Sequence, residues 1–256
     1  MLNTRDLKEK IIRISTAAQE GHIPAALSIL DILVVLYDRI LGQMPEHFSD
    51  LDRNRFILSK GHAAIGLYVV LAEKGFFKLD ELKDFGTFDS RFGGHPDRTL
   101  VPGVETSTGS LGHGFPMAVG LALGAKIKKK PSKIYTIVGD GESNEGTVWE
   151  SAMLGAHHKL DNLYCILDQN HSGDGPMNPQ DLRAKFEAFG WDAVRIDGHD
   201  QEAIEKALTR EPDGKPFAII AETVKGNGAK IMENSAEWTH KYPTPEQMEE
   251  IIAGLQ

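Results

Sequence analysis

An apolar run that stops at Gly139-Asp140-Gly141, followed by a second that stops at Asn170, constrains this chain more than any other feature. Ile134-Tyr135-Thr136-Ile137-Val138 reads as a buried strand. The Gly-Asp-Gly turn then releases the chain into Glu145 to Leu160. This stretch reads as a helix capped by Asn144, with Trp149, Met153, Ala156 and Leu160 on one face. Leu163-Tyr164-Cys165-Ile166-Leu167 is a second buried strand, ending at Asp168-Gln169-Asn170. Two strand ends on one edge of a parallel sheet thus present a carboxylate and an amide. Open α/β sheets bind ligands at the carboxyl ends of their strands, and Mg²⁺ takes oxygen ligands that it shares with phosphates. Asp140 and Asn170 therefore point to a site for a metal and a diphosphate.

The remaining elements extend the same alternation. Helices are expected from Thr4 to Gln19, Ser28 to Leu41, His62 to Lys74, Gly114 to Lys129 and Gln201 to Thr209, with a short last helix opened by Thr244-Pro245-Glu246-Gln247. Further strands are expected at Arg55 to Ser59, Ala193 to Ile196 and Phe217 to Val224. Asp84 to Ser110 and Lys225 to Pro243 read as irregular segments, and a loop as long as the first is usually functional. No Pro/Ser-rich linker divides the chain, so residues 1–256 are expected to form one α/β domain with a doubly wound, mostly parallel sheet.

Composition narrows the class. Hydrophobic residues make up 41% of the chain, enough for a core, and the net charge of −9 argues against general nucleic-acid binding. The basic run Lys126-Ile127-Lys128-Lys129-Lys130 falls at a helix end, where cations suit the dipole and solvent takes them up. Cys165, the one cysteine, lies inside a strand as an inert thiol, which fits a reducing compartment, here the cytoplasm. No signal peptide is visible, and Asp31, Asp38 and Arg39 interrupt the most apolar helix, so no membrane span is expected. Neither a Gly-x-x-x-x-Gly-Lys-Ser/Thr loop nor a full Gly-x-Gly-x-x-Gly fingerprint is present, which weighs against nucleotide hydrolysis and nicotinamide binding.

Five of the ten histidines directly follow glycine: His22, His62, His95, His113 and His199. Glycine lets the backbone approach a ligand, and histidine supplies a proton carrier near neutral pH. Any one pair is compatible with an ordinary turn; the recurrence points to a site. His157 and His158 lie on a helix as packing or surface residues, and His47 on a surface loop. Glu142 and Glu145 are open to a simpler reading, as acids favoured at a helix N-terminus.

Gly139-Asp140-Gly141, 28 intervening residues and Asn170 resemble the thiamine-diphosphate motif. Ser59-Lys60-Gly61-His62-Ala63, Gly94-His95-Pro96, Thr108-Gly109-Ser110-Leu111-Gly112, Lys159-Leu160-Asp161-Asn162-Leu163 and Lys225-Gly226 narrow the resemblance to transketolase. It covers essentially the whole chain, which is similar to the N-terminal subunit of a split transketolase. The resemblance implies a thiamine-diphosphate-binding fold lacking the pyrimidine-binding and C-terminal domains, and transfer of a two-carbon ketol unit between sugars. It implies Mg²⁺ bound by Asp140 and Asn170 side chains and the Ser172 carbonyl. Gly139, Gly141, His62 and Lys225 would lie at the diphosphate, and Gly109, Ser110 and Leu111 would approach the cofactor through backbone groups. His22 and His95 would meet the donor's hydroxyls, and Glu145 a subunit contact.

The activating glutamate and most sugar-phosphate contacts belong to the family's pyrimidine-binding domain. The resemblance therefore implies a separate C-terminal partner subunit in an α2β2 heterotetramer. Three departures stand out. His113 replaces a common Gln. Trp238 is followed by Thr239, with His240 one residue later, so His240 either takes the late-loop role or leaves it unfilled. The early Gly-His-Pro-Gly becomes Gly21-His22-Ile23-Pro24. The alternatives are the α subunit of a thiamine-dependent 2-oxoacid dehydrogenase, an activity like that of 1-deoxyxylulose-phosphate synthase, and a non-catalytic cofactor-binding subunit. The Gly-His pairs favour a sugar substrate over the first.

Overall fold

The computed structural model describes residues 1–42, 44–211 and 213–255. Its strands are β1 (Arg55–Leu58), β2 (Ile134–Gly139), β3 (Leu163–Gln169), β4 (Asp192–Asp197) and β5 (Phe217–Glu222). They form one parallel sheet in the order β1-β2-β3-β5-β4. The helices are α1 (Thr4–Ala18), α2 (Ile23–Ser28), α3 (Leu30–Val35), α4 (Ala64–Glu73), α5 (Gly114–Ile127), α6 (Gly146–His157), α7 (Asp174–Met177), α8 (Leu182–Ala188), α9 (Gln201–Leu208) and α10 (Pro245–Ala253).

The strand period of two explains why the sheet is covered on both faces. Tyr135, Ile137, Tyr164, Ile166, Phe217 and Ile219 point into a core shared with α1 to α4, α9 and α10. Their neighbours Ile134, Val138, Leu163, Cys165, Leu167, Ala218 and Ile220 point into a second core beneath α5, α6 and α8. Each large apolar side chain contributes about 1.5–3 kcal/mol on burial, so register is fixed on both faces at once. Cys165 is fully buried, and burial pushes its thiol well up from the ordinary range, in keeping with an inert group. Among the described residues, no helix is long and apolar enough to cross a membrane.

Two sequence expectations are corrected. The helix expected from Ser28 to Leu41 is broken at Ile29 (φ −104°, ψ 4°) and widens into a π turn over Leu36–Ile40. The break leaves Ser28 as the last residue of α2, with its hydroxyl turned toward the end of β3. In α6 the buried face is Val148, Ser151, Ala152 and Gly155, whereas Met153 is 51% exposed and Leu160 lies beyond the helix. Small residues face inward because the packing is tight: a Cβ on Gly155 would stand 2.8 Å from the Trp191 ring. The extended N-cap of α6 is Glu145, which makes no side-chain cap. Asn144 ends the preceding tight turn, and its amide donates to the Met177 carbonyl at 2.8 Å.

Helix α8 has no counterpart among the sequence expectations. The Asp181 carboxylate caps it by accepting from the Ala184 N–H.

Candidate active site

The two strand ends singled out by the sequence are neighbours. Gly139 pairs with Asp168 across β2 and β3, and the Asp140 N–H donates to the Asp168 carbonyl at 3.2 Å. Asp140 is 2% exposed; its Oδ1 accepts from the Gly141 N–H at 2.6 Å, and its Oδ2 is buried without a partner. Burial, and then the charge of Asp168, raise this carboxyl above the ordinary carboxylate range. A buried carboxylate oxygen left unpaired is costly, and a hard cation relieves that cost. Asn170, two residues past Asp168, keeps its Oδ1 on the Ser172 side, accepting from the Ser172 N–H at 3.0 Å and from the Ser172 hydroxyl. Its Nδ2 donates to Asp168 Oδ2 at 2.8 Å and to Ser28 Oγ at 3.1 Å. The described residues hold no cluster of three or more His, Cys, Asp or Glu suited to a metal. The donor set available here is thus one carboxylate, one amide and backbone oxygen, which suits a hard cation and not zinc.

Three buried residues behind this edge escaped the sequence reading as site components. Lys60, just past the end of β1, forms an ion pair with Asp168; the two are 1% and 0% exposed. Lys60 Nζ also donates to the Ala25 carbonyl at 3.3 Å. Removing one member of such a pair leaves an uncompensated charge, at a cost of about 3–5 kcal/mol. Glu142, which read as a possible helix-start acid, is instead 2% exposed. Its carboxylate accepts from the Ser59 hydroxyl and from the N–H groups of Gly112 (2.9 Å) and Gly139 (3.0 Å), tying three loops together. Burial raises its pKa, against these hydrogen bonds. A Gly-Asp-Gly-Glu run shows the acid in the sequence, but two of its partners arrive from residues far away along the chain.

A cavity of about 320 Å³ opens beside this edge, lined by His22, Ala25, His62, His95, Gly109, Leu111, Lys225 and Thr239. The His22 ring lies 5.2 Å from His62 and 4.9 Å from His240, centroid to centroid. His22 sits at the N-terminus of α2 with φ 63°, a left-handed conformation uncommon for histidine, and its Nδ1 is buried without a partner. Burial is the main reason that its pKa falls to about 4, helped by His240, His95, Lys225 and Lys60. Burial, then Lys60, lowers His62 to about 3. Both imidazoles are therefore neutral near pH 7, each with one N–H and one bare nitrogen. Lys225 donates to Thr239 Oγ1 at 3.2 Å, and its pKa is lowered by burial and by Lys60.

Of the five Gly-His pairs, His22, His62 and His95 converge on the cavity. His113 is exposed, with its Nδ1 3.1 Å from the Leu111 carbonyl. His199 belongs to another network: its Nε2 accepts from the Val224 N–H at 2.9 Å and its Nδ1 faces Asp31 Oδ2 at 2.9 Å. Ser110, Glu145, Ser172 and His240 are exposed around the site. Asp140 and Asn170 are not among the residues lining the histidine cavity; the link between the two regions is Lys60 and Asp168.

A parallel sheet with a carboxylate and an amide at neighbouring carboxyl ends is an α/β arrangement suited to ligand binding at that edge, and relatives of the chain specify the class. The family described as transketolase, thiamine diphosphate binding domain, matches residues 8–247, and the chain belongs to that family. It is 39% identical to an apulose-4-phosphate transketolase subunit of Phocaeicola vulgatus, covering 98% of this chain and 92% of that one. It is 37% identical to the 6-deoxy-6-sulfo-D-fructose transketolase subunit SqwG of a Clostridium species, covering 92% and 88%. The solved transketolase of Campylobacter jejuni superposes with a TM-score of 0.89 at 34% identity, covering 97% of this chain but only 41% of that one. The chain thus spans about two-fifths of that solved transketolase and nearly the full length of these subunits.

Proposed function

We propose that this chain is the N-terminal subunit of a two-chain transketolase. With thiamine diphosphate and Mg²⁺ it moves a two-carbon ketol unit from a ketose donor to an aldose acceptor. The observation that carries this reading is the unpartnered Oδ2 of Asp140 beside Asn170 at neighbouring strand ends, in a chain of the transketolase family. The Asp140 carboxylate, the Asn170 amide oxygen and the Ser172 carbonyl would hold Mg²⁺, a cation that takes oxygen ligands. Gly139 and Gly141 would bring backbone close to the diphosphate, and His62 and Lys225 would face it. Gly109, Ser110 and Leu111 approach the rest of the cofactor.

When bound, thiamine diphosphate supplies the carbon nucleophile and the electron sink. The chain's own residues handle the substrate. His22 and His95 hydrogen-bond the sugar hydroxyls, and His240, edge-on to His22, closes that wall. Neutral His22 and His62 each offer one N–H donor and one bare acceptor nitrogen to hydroxyl groups in the cavity.

The activating glutamate and the pocket for the cofactor's rings are assigned to a C-terminal partner subunit with the pyrimidine-binding domain, in an α2β2 assembly that meets this chain at Glu145. Support comes from the P. vulgatus relative, itself one subunit of a transketolase, which this chain matches over 92% of its length. Ketol transfer is measured with this chain alone, rigorously freed of other subunits, and again after adding the partner identified by co-purification. Transfer and proton exchange at the thiazolium C2 are expected only in the mixture. The mixture should also bind the cofactor more tightly, since that linkage is mutual. Robust turnover by the chain alone would overturn the half-site reading.

A further inference from the structure

Asp168 stands behind the proposed metal ligands, yet it is the most heavily engaged group at the sheet's carboxyl edge. It is 0% exposed. Its Oδ1 accepts from Ser28 Oγ and Thr223 Oγ1, each at 2.5 Å, and its Oδ2 accepts from Lys60 Nζ and from Asn170 Nδ2, the latter at 2.8 Å. Four elements meet there: the end of α2, the turn after β1, the end of β3 and the residue following β5.

A carboxylate only accepts hydrogen bonds, whereas an amide has one accepting and one donating end. Asn170 facing Asp168 must therefore present its NH2, and its oxygen is left on the opposite side, where it meets Ser172. Ser28 reinforces this orientation. Its hydroxyl proton goes to a carboxylate oxygen, and its lone pair receives the second Asn170 N–H. Lys60 supplies the charge that lets an ionised Asp168 stand beside Asp140, whose own carboxylate lies one strand over. Ordered partners behind a ligand typically set metal affinity within a factor of about 10–100.

We infer that Asp168, neutralised by Lys60, is a positioning residue that fixes the Asn170 amide with its oxygen, and not its nitrogen, toward the cation. This rests on the proposed Mg²⁺–thiamine-diphosphate site. Asp168 touches neither cofactor nor substrate; it acts through Asn170.

The test uses Mn²⁺ as a paramagnetic probe, titrated into the purified full chain with thiamine diphosphate present, alongside thermal unfolding. Asp168→Asn should weaken Mn²⁺ binding about tenfold or more, because an amide at that position no longer dictates which end of Asn170 faces it. The exchange Asp168→Asn/Asn170→Asp should recover most of that loss. The carboxylate then has an oxygen at either end, and the exchanged amide can turn its NH2 toward it. Asn170→Asp alone opposes two carboxylates and should bind more weakly than the exchange. Thr223→Val removes one donor from the far oxygen of Asp168 and should cost stability while leaving Mn²⁺ affinity within about twofold, since the Asn170 contact persists.

Unchanged affinity in Asp168→Asn overturns the inference. So does an exchange variant no better than either single variant, or Thr223→Val weakening the metal as much as Asp168→Asn. If Asp168→Asn does not fold, the exchange variant decides: metal binding near that of the natural chain supports the inference, and its loss overturns it. Failure of the natural chain to take up Mn²⁺ with thiamine diphosphate would sink the cofactor site itself, a result distinct from each of these.

Discussion

The two halves of the site are built on opposite principles. At the carboxyl ends of β2 and β3, nearly every polar atom is committed: Asp168 has four donors, Glu142 three, and Asn170 is held at both ends of its amide. Two buried oxygens are left over, Asp140 Oδ2 and the amide Oε1 of Gln169, and of these only that of Asp140 belongs to a carboxylate. The histidine cavity has few such bonds. Its rings are placed by contact with each other and by close backbone approach: the Gly21 Cβ position lies 2.8 Å from the His240 backbone, and that of Gly109 3.3 Å from the His95 ring. A densely bonded frame that leaves one carboxylate oxygen open suits an ion held in one geometry. A wall that includes the neutral rings of His22 and His62 offers both donors and acceptors to hydroxyl-bearing ligands that arrive and leave. The difference separates a part that holds from a part that handles.

The largest expected effect breaks the first half alone. Asp140→Ala removes the buried, unpartnered carboxylate oxygen at this edge, and thiamine diphosphate binding in Mg²⁺ should fall by about 100-fold or more, with the melting profile of the cofactor-free chain kept or raised. A gain in apo stability is reasonable because the buried carboxylate is already disfavoured by its surroundings. Calorimetry giving the same cofactor affinity as the natural chain would remove Asp140 from the metal site.

The next effect should fall on the second half. His22→Ala or His95→Ala, assayed with the partner, should lower ketol transfer by roughly 10²-fold, the range for a positioned proton carrier. Cofactor affinity should shift little in either variant. If cofactor affinity drops in step with transfer, the division between the two halves is wrong.

How legible each half was follows from the range of its interactions. Strand ends were readable because β2 and β3 are continuous apolar runs closed by Gly-Asp-Gly and by Asn170, so a local pattern located both Asp140 and Asn170. The α/β class and the parallel sheet followed from the same alternation. Lys60, Asp168 and Glu142 were not readable as components of the site. Their importance lies in bonds such as Lys60 to Asp168 and Glu142 to Gly112, which no local pattern encodes. The Gly-His recurrence was informative as a set and blind to members: His199 has the same dipeptide as His62 but is bound between Asp31 and the Val224 N–H. The buried face of α6 differs from the expected one because large apolar size does not mark it. Against this sheet the helix approaches so closely that Gly155 and Ala152 face inward and Met153 outward.

The smallest effect concerns what keeps His22 and His62 uncharged. His62 has a folded-state pKa of about 3 and His22 of about 4, both below the ordinary 6.5 expected in the unfolded chain. Between those values the unfolded state binds more protons than the folded one, so stability rises with pH. The contribution is complete above about pH 6.5 and is lost as pH falls through about 6.5 toward 4 and then 3. Asp140 and Glu142, raised by burial, act in the opposite sense. A difference between two chains that share them cancels their part. Chemical denaturation of the cofactor-free chain is therefore compared with that of His62→Asn between about pH 7.5 and 4.5. Near pH 5 the variant should take up about one proton fewer on unfolding, giving a flatter stability curve. Parallel curves would mean that His62 titrates normally in the folded chain. The cavity would then present a charged imidazolium at mildly acidic pH, and the contrast between a charged frame and a neutral wall would fail on its second side.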